Sequence, residues 1–353
     1  MIKVGVIGFG FAGQAFHAPV VHAVDGLELA CIVERSGNSA QQRFPNARVV
    51  CTVEEMLKDD GIRLCVVATP QTSHFELARK CLLAGRDVVV DKPFTTNLKD
   101  AEELVRLAQA NGRMITVYQN RRYDGDFLTV QKIISSGVLG RIITFETHFD
   151  RFRPKIKPND WHEVPSPGMG ILYDLGPHLA DAAYALFGAP QTVTAQIRMQ
   201  REGSQVNDSF DIQLEYPGAN VSLRVSYFAC VPRPRYLLYG TLGSFVKYGL
   251  DPQEEILKKR ETILFGEKWG EDAGEDWGTL RLADGNSFKE EKVKTERGDY
   301  RKYYENVRDA VLNGTAPTIT PQSAVDVMRI LELAESSSRS KRTVLWTDRT
   351  GSP

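Results

Sequence analysis

Short apolar runs alternate with helical spacing along the first third of the chain. Ile2–Ile7, Leu27–Val33, Ile62–Ala68, Arg86–Val90 and Met114–Tyr118 read as strands, with Val49–Cys51 as a shorter one. Most are apolar on both faces, as strands buried in a parallel sheet are. Ser73–Ala84 and Leu98–Ala110 repeat apolar residues every three or four positions, the spacing of amphipathic helices. This strand–helix alternation predicts an α/β domain with a doubly wound parallel sheet over residues 1–120. After Asn120 the pattern changes. A helix over Phe127–Ser136 precedes Ile142–Phe149, Thr192–Met199, Phe210–Tyr216, Val221–Tyr227, Tyr236–Tyr239 and Ser244–Tyr248, which alternate apolar with polar positions. They predict an α+β domain over residues 121–353, built on a large, open, mostly antiparallel sheet with one exposed face. Helices near Tyr300–Leu312 and Ser323–Ser336 follow, and this C-terminal segment can pack back on the first domain. Gly266–Gly285, rich in Gly, Asp, Glu and Trp, reads as a long loop.

The first strand runs directly into Gly8-Phe9-Gly10-Phe11-Ala12-Gly13, which matches G-x-G-x-x-G and opens a helix. One glycine permits the tight turn, the next lets backbone approach a pyrophosphate, and the third lets helix pack on strand. The helix N-terminus offers N–H groups and positive potential to the anion. Glu34, 21 residues beyond Gly13 at the end of the second strand, stands where an acid binds an adenosine ribose hydroxyl. A nicotinamide dinucleotide bound to a Rossmann domain is therefore expected. Glu34 argues for NAD, because a carboxylate repels a 2′-phosphate. Arg35 and Ser36 argue for NADP, because a guanidinium and a hydroxyl suit that phosphate. The balance leans to NADP.

Ligands of open parallel sheets bind beyond the carboxyl ends of strands. One such end is Thr69-Pro70-Gln71-Thr72-Ser73-His74, where Thr69 and Pro70 can line the dinucleotide and Thr72 or Ser73 can cap the next helix. His74 is counted with this edge and reads as structural rather than catalytic. Another end is Asp91-Lys92-Pro93, where a lysine leaves a buried strand at the ligand edge, and a cis peptide is compatible with Pro93. In the second domain, Gly168 to Asp181 reads as a turn and then a helix reaching Phe187, with Pro177 in its first turn. Asp174 and His178 are four residues apart and share a helix face. Histidine serves as a base near neutral pH, and the carboxylate can orient it or bind a substrate hydroxyl.

Composition narrows the function classes. With Lys+Arg 44 against Asp+Glu 45, the chain has no overall attraction for a polyanion, and no nucleic-acid partner is expected. Arg151, Arg153, Lys155 and Lys157 form a local basic cluster only. The five cysteines lack metal-ligand or redox spacing, so no metal is expected and a reducing compartment is favoured. No leader pattern and no membrane-spanning run stand out, and the expectation is a cytoplasmic protein without a membrane partner.

Taken together, these pieces resemble the Gfo/Idh/MocA (glucose–fructose oxidoreductase / inositol dehydrogenase) family. The matching segments are Gly8–Gly13, Thr69–His74, Asp91-Lys92-Pro93, Asn120-Arg121-Arg122-Tyr123 and Asp174-Leu175-Gly176-Pro177-His178. Asp91 replaces the family's usual glutamate and keeps the acid. Phe145 to Pro154, Trp161 and Tyr248 to Gln253 resemble a branch that includes NADP-dependent scyllo-inositol dehydrogenases. The resemblance implies hydride transfer between the dinucleotide and a carbinol or carbonyl carbon of a polyol or sugar. It assigns His178 to the hydroxyl proton, Lys92 to the same oxygen, and Asp174 to a neighbouring hydroxyl or the lysine. Arg122, Arg151, Trp161 and Tyr236 are candidate substrate contacts. Other chemistry on the same fold (imine reduction, dihydrodiol oxidation, redox-neutral glycoside cleavage) and a non-catalytic dinucleotide sensor are the alternatives. Burial of the exposed sheet face in a homodimer or homotetramer is expected.

Overall fold

A computed structural model describes residues 1–157, 163–259 and 265–347. The chain divides into two compact units. The first takes Met1–Tyr123, Gln253–Trp269 and Asp299–Val325; the second takes Asp124–Pro252, Gly270–Gly298 and Asp326–Pro353.

The first unit is built on six parallel strands, β1 (Ile2–Ile7), β2 (Leu27–Val33), β3 (Arg48–Val50), β4 (Ile62–Val67), β5 (Asp87–Val90) and β6 (Ile115–Val117). Their spatial order is β3-β2-β1-β4-β5-β6. The order reverses between β1 and β4, which makes their carboxyl ends the switch point of a doubly wound sheet. Val4, Val6, Cys65, Val66, Val88 and Val89 are fully buried, as the continuous apolar runs predict. Helices α1 (Ala18–His22), α2 (Ser39–Arg43), α3 (Val53–Leu57), α4 (His74–Leu83) and α5 (Leu98–Ala110) connect the strands. The Asn97 side chain accepts the Asp100 N–H at 2.9 Å and fixes the start of α5.

The second unit adds α6 (Gly125–Ser135), β7 (Ile142–His148), α7 (Ile171–Phe187), β8 (Thr192–Arg198), β9 (Ser209–Tyr216), β10 (Ala219–Ser226), β11 (Tyr236–Gly240) and β12 (Gly243–Lys247). The later elements are α8 (Gln253–Lys258), β13 (Gly278–Asp284), β14 (Ser287–Val293), α9 (Arg301–Asn313), α10 (Pro321–Ser340) and β15 (Val344–Leu345). Of these, α8, α9 and the first turn of α10 belong to the first unit. The nine strands run β14-β13-β12-β11-β7-β10-β9-β8-β15. β10 pairs parallel with β7, and the remaining described pairs are antiparallel. On β9, Phe210, Ile212, Leu214 and Tyr216 are buried and their alternates are not. Leu172, Leu175 and Leu179 of α7 are buried in the same unit, each worth about 1.5–3 kcal/mol of apolar burial.

The expectation of a loop over Gly266–Gly285 is corrected. Gly278–Asp284 is β13, paired residue for residue with β14. This outer ribbon buries little beyond Gly278 and Leu280 on β13, and β14 is almost wholly exposed, so its two-residue apolar period is faint. The Asp284-Gly285 turn was its readable signal. Lys289, Glu290, Glu291 and Lys292 line the outermost strand and discourage pairing with another edge.

Candidate functional site

At the carboxyl edge of the parallel sheet the three glycines do different work. Gly8 has φ +98°, and a Cβ there would lie 2.8 Å from Thr69 Cγ2 and 2.9 Å from the Ala68 carbonyl oxygen. A Cβ on Gly13 would lie 2.1 Å from the Gly8 carbonyl oxygen. Both positions are closed by the protein itself. A Cβ on Gly10 would meet nothing within 4 Å. Gly10 therefore opens onto space, as close approach of a phosphate requires. Phe9 is buried edge-on against Phe44, while Phe11 is 50% exposed. Ala12 is half-buried behind it.

Glu34 turns inward. Its carboxylate accepts the Ser39 hydroxyl and, at 3.0 Å, the Ala40 N–H, so it ties down the start of α2. Arg35 and Ser36 are exposed at the end of β2. The Ser39 and Ala40 partners lie too close along the chain to be told from an ordinary loop by sequence alone.

The Thr69 hydroxyl meets Ser73 Oγ at 2.7 Å, and Ser73 Oγ donates to the Pro70 carbonyl at 2.8 Å. Ser73 is the N-cap residue of α4, yet its side chain makes no capping bond, contrary to expectation. His74 is 1% exposed. Its Nδ1 and Nε2 each lie 2.8 Å from a carbonyl oxygen, of Pro93 and Thr69 respectively. Burial holds His74 below the ordinary histidine range against Asp91 and both carbonyls, so the neutral ring donates to one of them at a time. Counted above with the cofactor edge, His74 lies in the interior and joins the two strand ends.

The Lys92–Pro93 peptide is cis. Asp91 Oδ1 accepts the Lys92 N–H at 2.8 Å. Burial would raise the Asp91 carboxyl, but His17, Lys92 and His74 outweigh it and hold it below its ordinary value. Arg122 is half-buried in a 3-10 turn over Asn120–Tyr123. Its neighbour Arg121, not singled out from sequence, is buried and paired with Glu254. Against burial, Arg121 and Lys258 hold the Glu254 carboxyl down to about 2.

Asp174 and His178 sit on α7 in the second unit. His178 is buried and Asp174 is half-buried. The expectation that Pro177 lies in the first turn is corrected: α7 begins at Ile171, and Pro177 is inside the helix. Its start is held by a residue distant in sequence. Asn207 accepts the Ile171 N–H through its backbone oxygen and the Leu172 N–H through Oδ1, both at 2.8 Å. A helix so anchored and so buried tolerates the bond that proline omits. Asn207→Ala is expected to destabilise the protein by about 1–2 kcal/mol, measured by urea unfolding; an unchanged midpoint would remove this account of the helix start.

Around Asp174 the structure adds Tyr227, which sequence reading passed over as an ordinary strand residue. Burial and then the Asp174 carboxylate push its phenol up, with Arg151, Arg153 and Arg201 opposing. Arg201 lies 4.8 Å and Arg153 5.8 Å from its ring centroid. Arg201 is itself held by Glu163 at 2.8 Å and Asp208 at 3.1 Å. Arg151 rests on Phe149 at 5.3 Å. The basic cluster thus stacks in part on aromatic rings. Tyr236, expected as a substrate contact, is 1% exposed and packs against Phe127 and Phe145. Its alternation on β11 faces the core, where an aromatic ring fills volume. Trp161 lies outside the described residues. Lys92 and the dinucleotide edge belong to the first unit, Asp174 and His178 to the second.

Comparison with known proteins agrees with this architecture. Residues 2–119 match the model of an oxidoreductase family's NAD-binding Rossmann fold. Residues 131–345 match that family's C-terminal alpha/beta domain. An Escherichia coli (strain K12) oxidoreductase of uncharacterized activity, YdgJ, is 43% identical over 97% of this chain and 98% of its own. The scyllo-inositol 2-dehydrogenase (NADP(+)) IolW of Bacillus subtilis (strain 168) is 36% identical over 98% of this chain and 96% of its own. The solved structure of an oxidoreductase from Yersinia pestis superposes with a TM-score of 0.92 at 40% identity, covering 99% of this chain and 98% of that one. No described helix is long and apolar enough to cross a membrane.

Proposed function

The chain belongs to the Gfo/Idh/MocA oxidoreductase family, and we propose that it moves a hydride between a nicotinamide dinucleotide and the CH–OH carbon of a polyol or sugar, inositol-like or aldose-like. The observation that carries the dinucleotide part is the contrast between Gly10 and its two neighbours. Gly8 and Gly13 are closed by protein, and Gly10 leaves room for a pyrophosphate at a helix start. The residues fit the group: Gly8 to Gly13 would hold its phosphates, and Thr69, Pro70 and the Asp91–Pro93 turn would flank its other end.

When bound, the dinucleotide supplies or accepts the hydride. His178 takes the substrate hydroxyl proton during oxidation and returns it during reduction. Lys92 donates to the same oxygen and stabilises the negative charge that develops there. Asp174 accepts from a neighbouring hydroxyl. Arg122, Arg151 and Trp161 are assigned to further substrate contacts. Tyr227 joins them because it shares its surroundings with Asp174. The exposed face of the nine-stranded sheet suits pairing with a second copy of the chain, as a dimer or tetramer.

NADP is the preferred dinucleotide in this reading. Glu34 is spent on Ser39 and Ala40, and exposed Arg35 and Ser36 suit a 2′-phosphate. The relative IolW is described as NADP-dependent. Arg35→Ala is expected to weaken NADP binding about tenfold or more while NAD binding stays within about threefold, read by fluorescence titration. Equal losses for both dinucleotides would end the assignment.

The function is tested by presenting inositols, aldoses and sugar acids with each dinucleotide and following the absorbance of reduced nicotinamide. Turnover with at least one inositol or aldose is expected. Silence across the whole panel would contradict the reading and favour a sensor or redox-neutral role.

A further inference from the structure

The dinucleotide edge holds a buried histidine that the proposed reaction does not use. Gly13–His17 forms one turn of π-helix, closed by the Ala18 N–H reaching back to the Gly13 carbonyl. The sequence supplies a cause. Pro19 has no N–H to give to Ala15, and its ring crowds that carbonyl, so the turn widens by one residue. Widening carries His17 into the interior, where it is 0% exposed. Its ring tilts over Tyr118 with centroids 4.4 Å apart.

Both ring nitrogens face polar groups. Nδ1 lies 2.6 Å from the Tyr304 hydroxyl, and Nε2 lies 3.5 Å from Asp91 Oδ1. Burial pushes the Tyr304 phenol well above its ordinary value, with Tyr118, Tyr303 and Asp91 adding to it. Tyr304 therefore keeps its proton and its hydroxyl is hydrogen-bonded to Nδ1, while Nε2 is the nitrogen that faces the carboxylate. At 3.5 Å the two attract electrostatically, at longer range than a normal hydrogen bond.

The same carboxylate oxygen accepts the Lys92 N–H at 2.8 Å. On the other side of Lys92, the Pro93 carbonyl lies 2.8 Å from His74 Nδ1. Lys92 is thus bracketed by two buried histidines, one on the residue before it and one on the residue after. We propose that His17 is a positioning residue for Lys92, acting through the Asp91 carboxylate to fix the turn from which the lysine side chain leaves the sheet. The proposal rests on the reading of Lys92 given above. A π-turn spent on aiming a buried side chain accords with the frequent occurrence of such turns at functional sites.

His17→Phe keeps a ring against Tyr118 and removes both nitrogens. Turnover of scyllo-inositol with NADP is measured beside the dinucleotide Kd. The expected result is a kcat about tenfold lower, with Kd changed less than about threefold. Asp91→Asn should lose a similar factor, and the double variant should be no worse than Asp91→Asn alone. Losses that multiply, or an unchanged kcat in His17→Phe, overturn the proposal. If His17→Phe does not fold, Tyr304→Phe deletes only the phenol oxygen and should lower kcat in the same direction; no change there also overturns it. Carbon-13 NMR titration of the Asp91 carboxyl separates this claim from the function itself. The carboxyl should titrate below the ordinary aspartate range in the wild type and move upward in His17→Phe. Should no polyol turn over, the functional reading fails, and an upward move still supports the link from His17 to Asp91. An unmoved titration overturns that link.

Discussion

Lys92→Ala and His178→Ala should each lower kcat by about 10²–10⁴-fold while the Kd for NADP stays within about threefold. The asymmetry follows from what the two side chains are assigned to touch. Neither is part of the glycine turn, the proposed phosphate site. In the proposed mechanism each meets the reacting oxygen, Lys92 as a donor to developing charge and His178 as the proton carrier. A donor of that kind strengthens as charge builds, so its loss appears in kcat. Pre-steady-state reduction of NADP, read beside an equilibrium titration, separates the two quantities. Wild-type-like turnover in either variant would remove that residue from the mechanism. A parallel loss of NADP affinity would make it a binding residue instead.

The second large effect concerns the glycines. Gly10→Val should cost the dinucleotide at least about a hundredfold in affinity, roughly 2.7 kcal/mol, and should leave unfolding within about 0.5 kcal/mol of wild type. A Cβ at Gly10 would meet no protein atom within 4 Å, so the space it enters is the space kept for the ligand in the proposed reading. Gly13→Val should behave in the opposite way. Its Cβ would press on the Gly8 carbonyl oxygen at 2.1 Å, and overpacking of that kind costs about 1–3 kcal/mol or more. The pair of variants therefore separates a glycine kept for a ligand from one kept for the fold. Dinucleotide binding by Gly10→Val at wild-type strength would mean that the phosphates lie elsewhere.

Much of the first unit could be read along the chain because its signals are local. β1 and β2 are mostly apolar runs, interrupted only by Lys3 and Glu28 and ended by turn residues, and their bounds agree with the reading. α5 spans the residues expected of it because Asn97 and Asp100 cap it from within the same turn. Where the deciding contact is distant or the buried face is thin, the reading fails. The start of α7 depends on Asn207, 36 residues after Ile171. The ribbon of β13 and β14 buries so little that its alternation barely shows. Tyr236 could not be told apart from a site residue because a strand position alone does not say which face meets the core. The inward turn of Glu34 depends on two donors in a short loop, and a carboxylate at that position looks the same in sequence whichever way it points. The π-turn at Gly13–His17 was also hidden, although Pro19 was its visible cause.

The substrate edge is the part least marked by local pattern. Lys92 stands out because a lysine follows a buried strand. Tyr227 does not, because its meaning comes from Asp174 on another element. Such constellations form only when strands and helices have been arranged, and no periodicity encodes them.

Movement of a hydride to and from a carbinol carbon, the proposed reaction, is best tested with NADPH deuterated at the transferring position of the nicotinamide, presented with the keto forms of inositols and with aldoses. Mass spectrometry of the product should show one deuterium on the newly reduced carbon, formed about 10²–10⁴-fold more slowly when His178→Ala replaces the wild type. Reduced product without the label, or every one of these substrates left unchanged with intact NADPH, would overturn it.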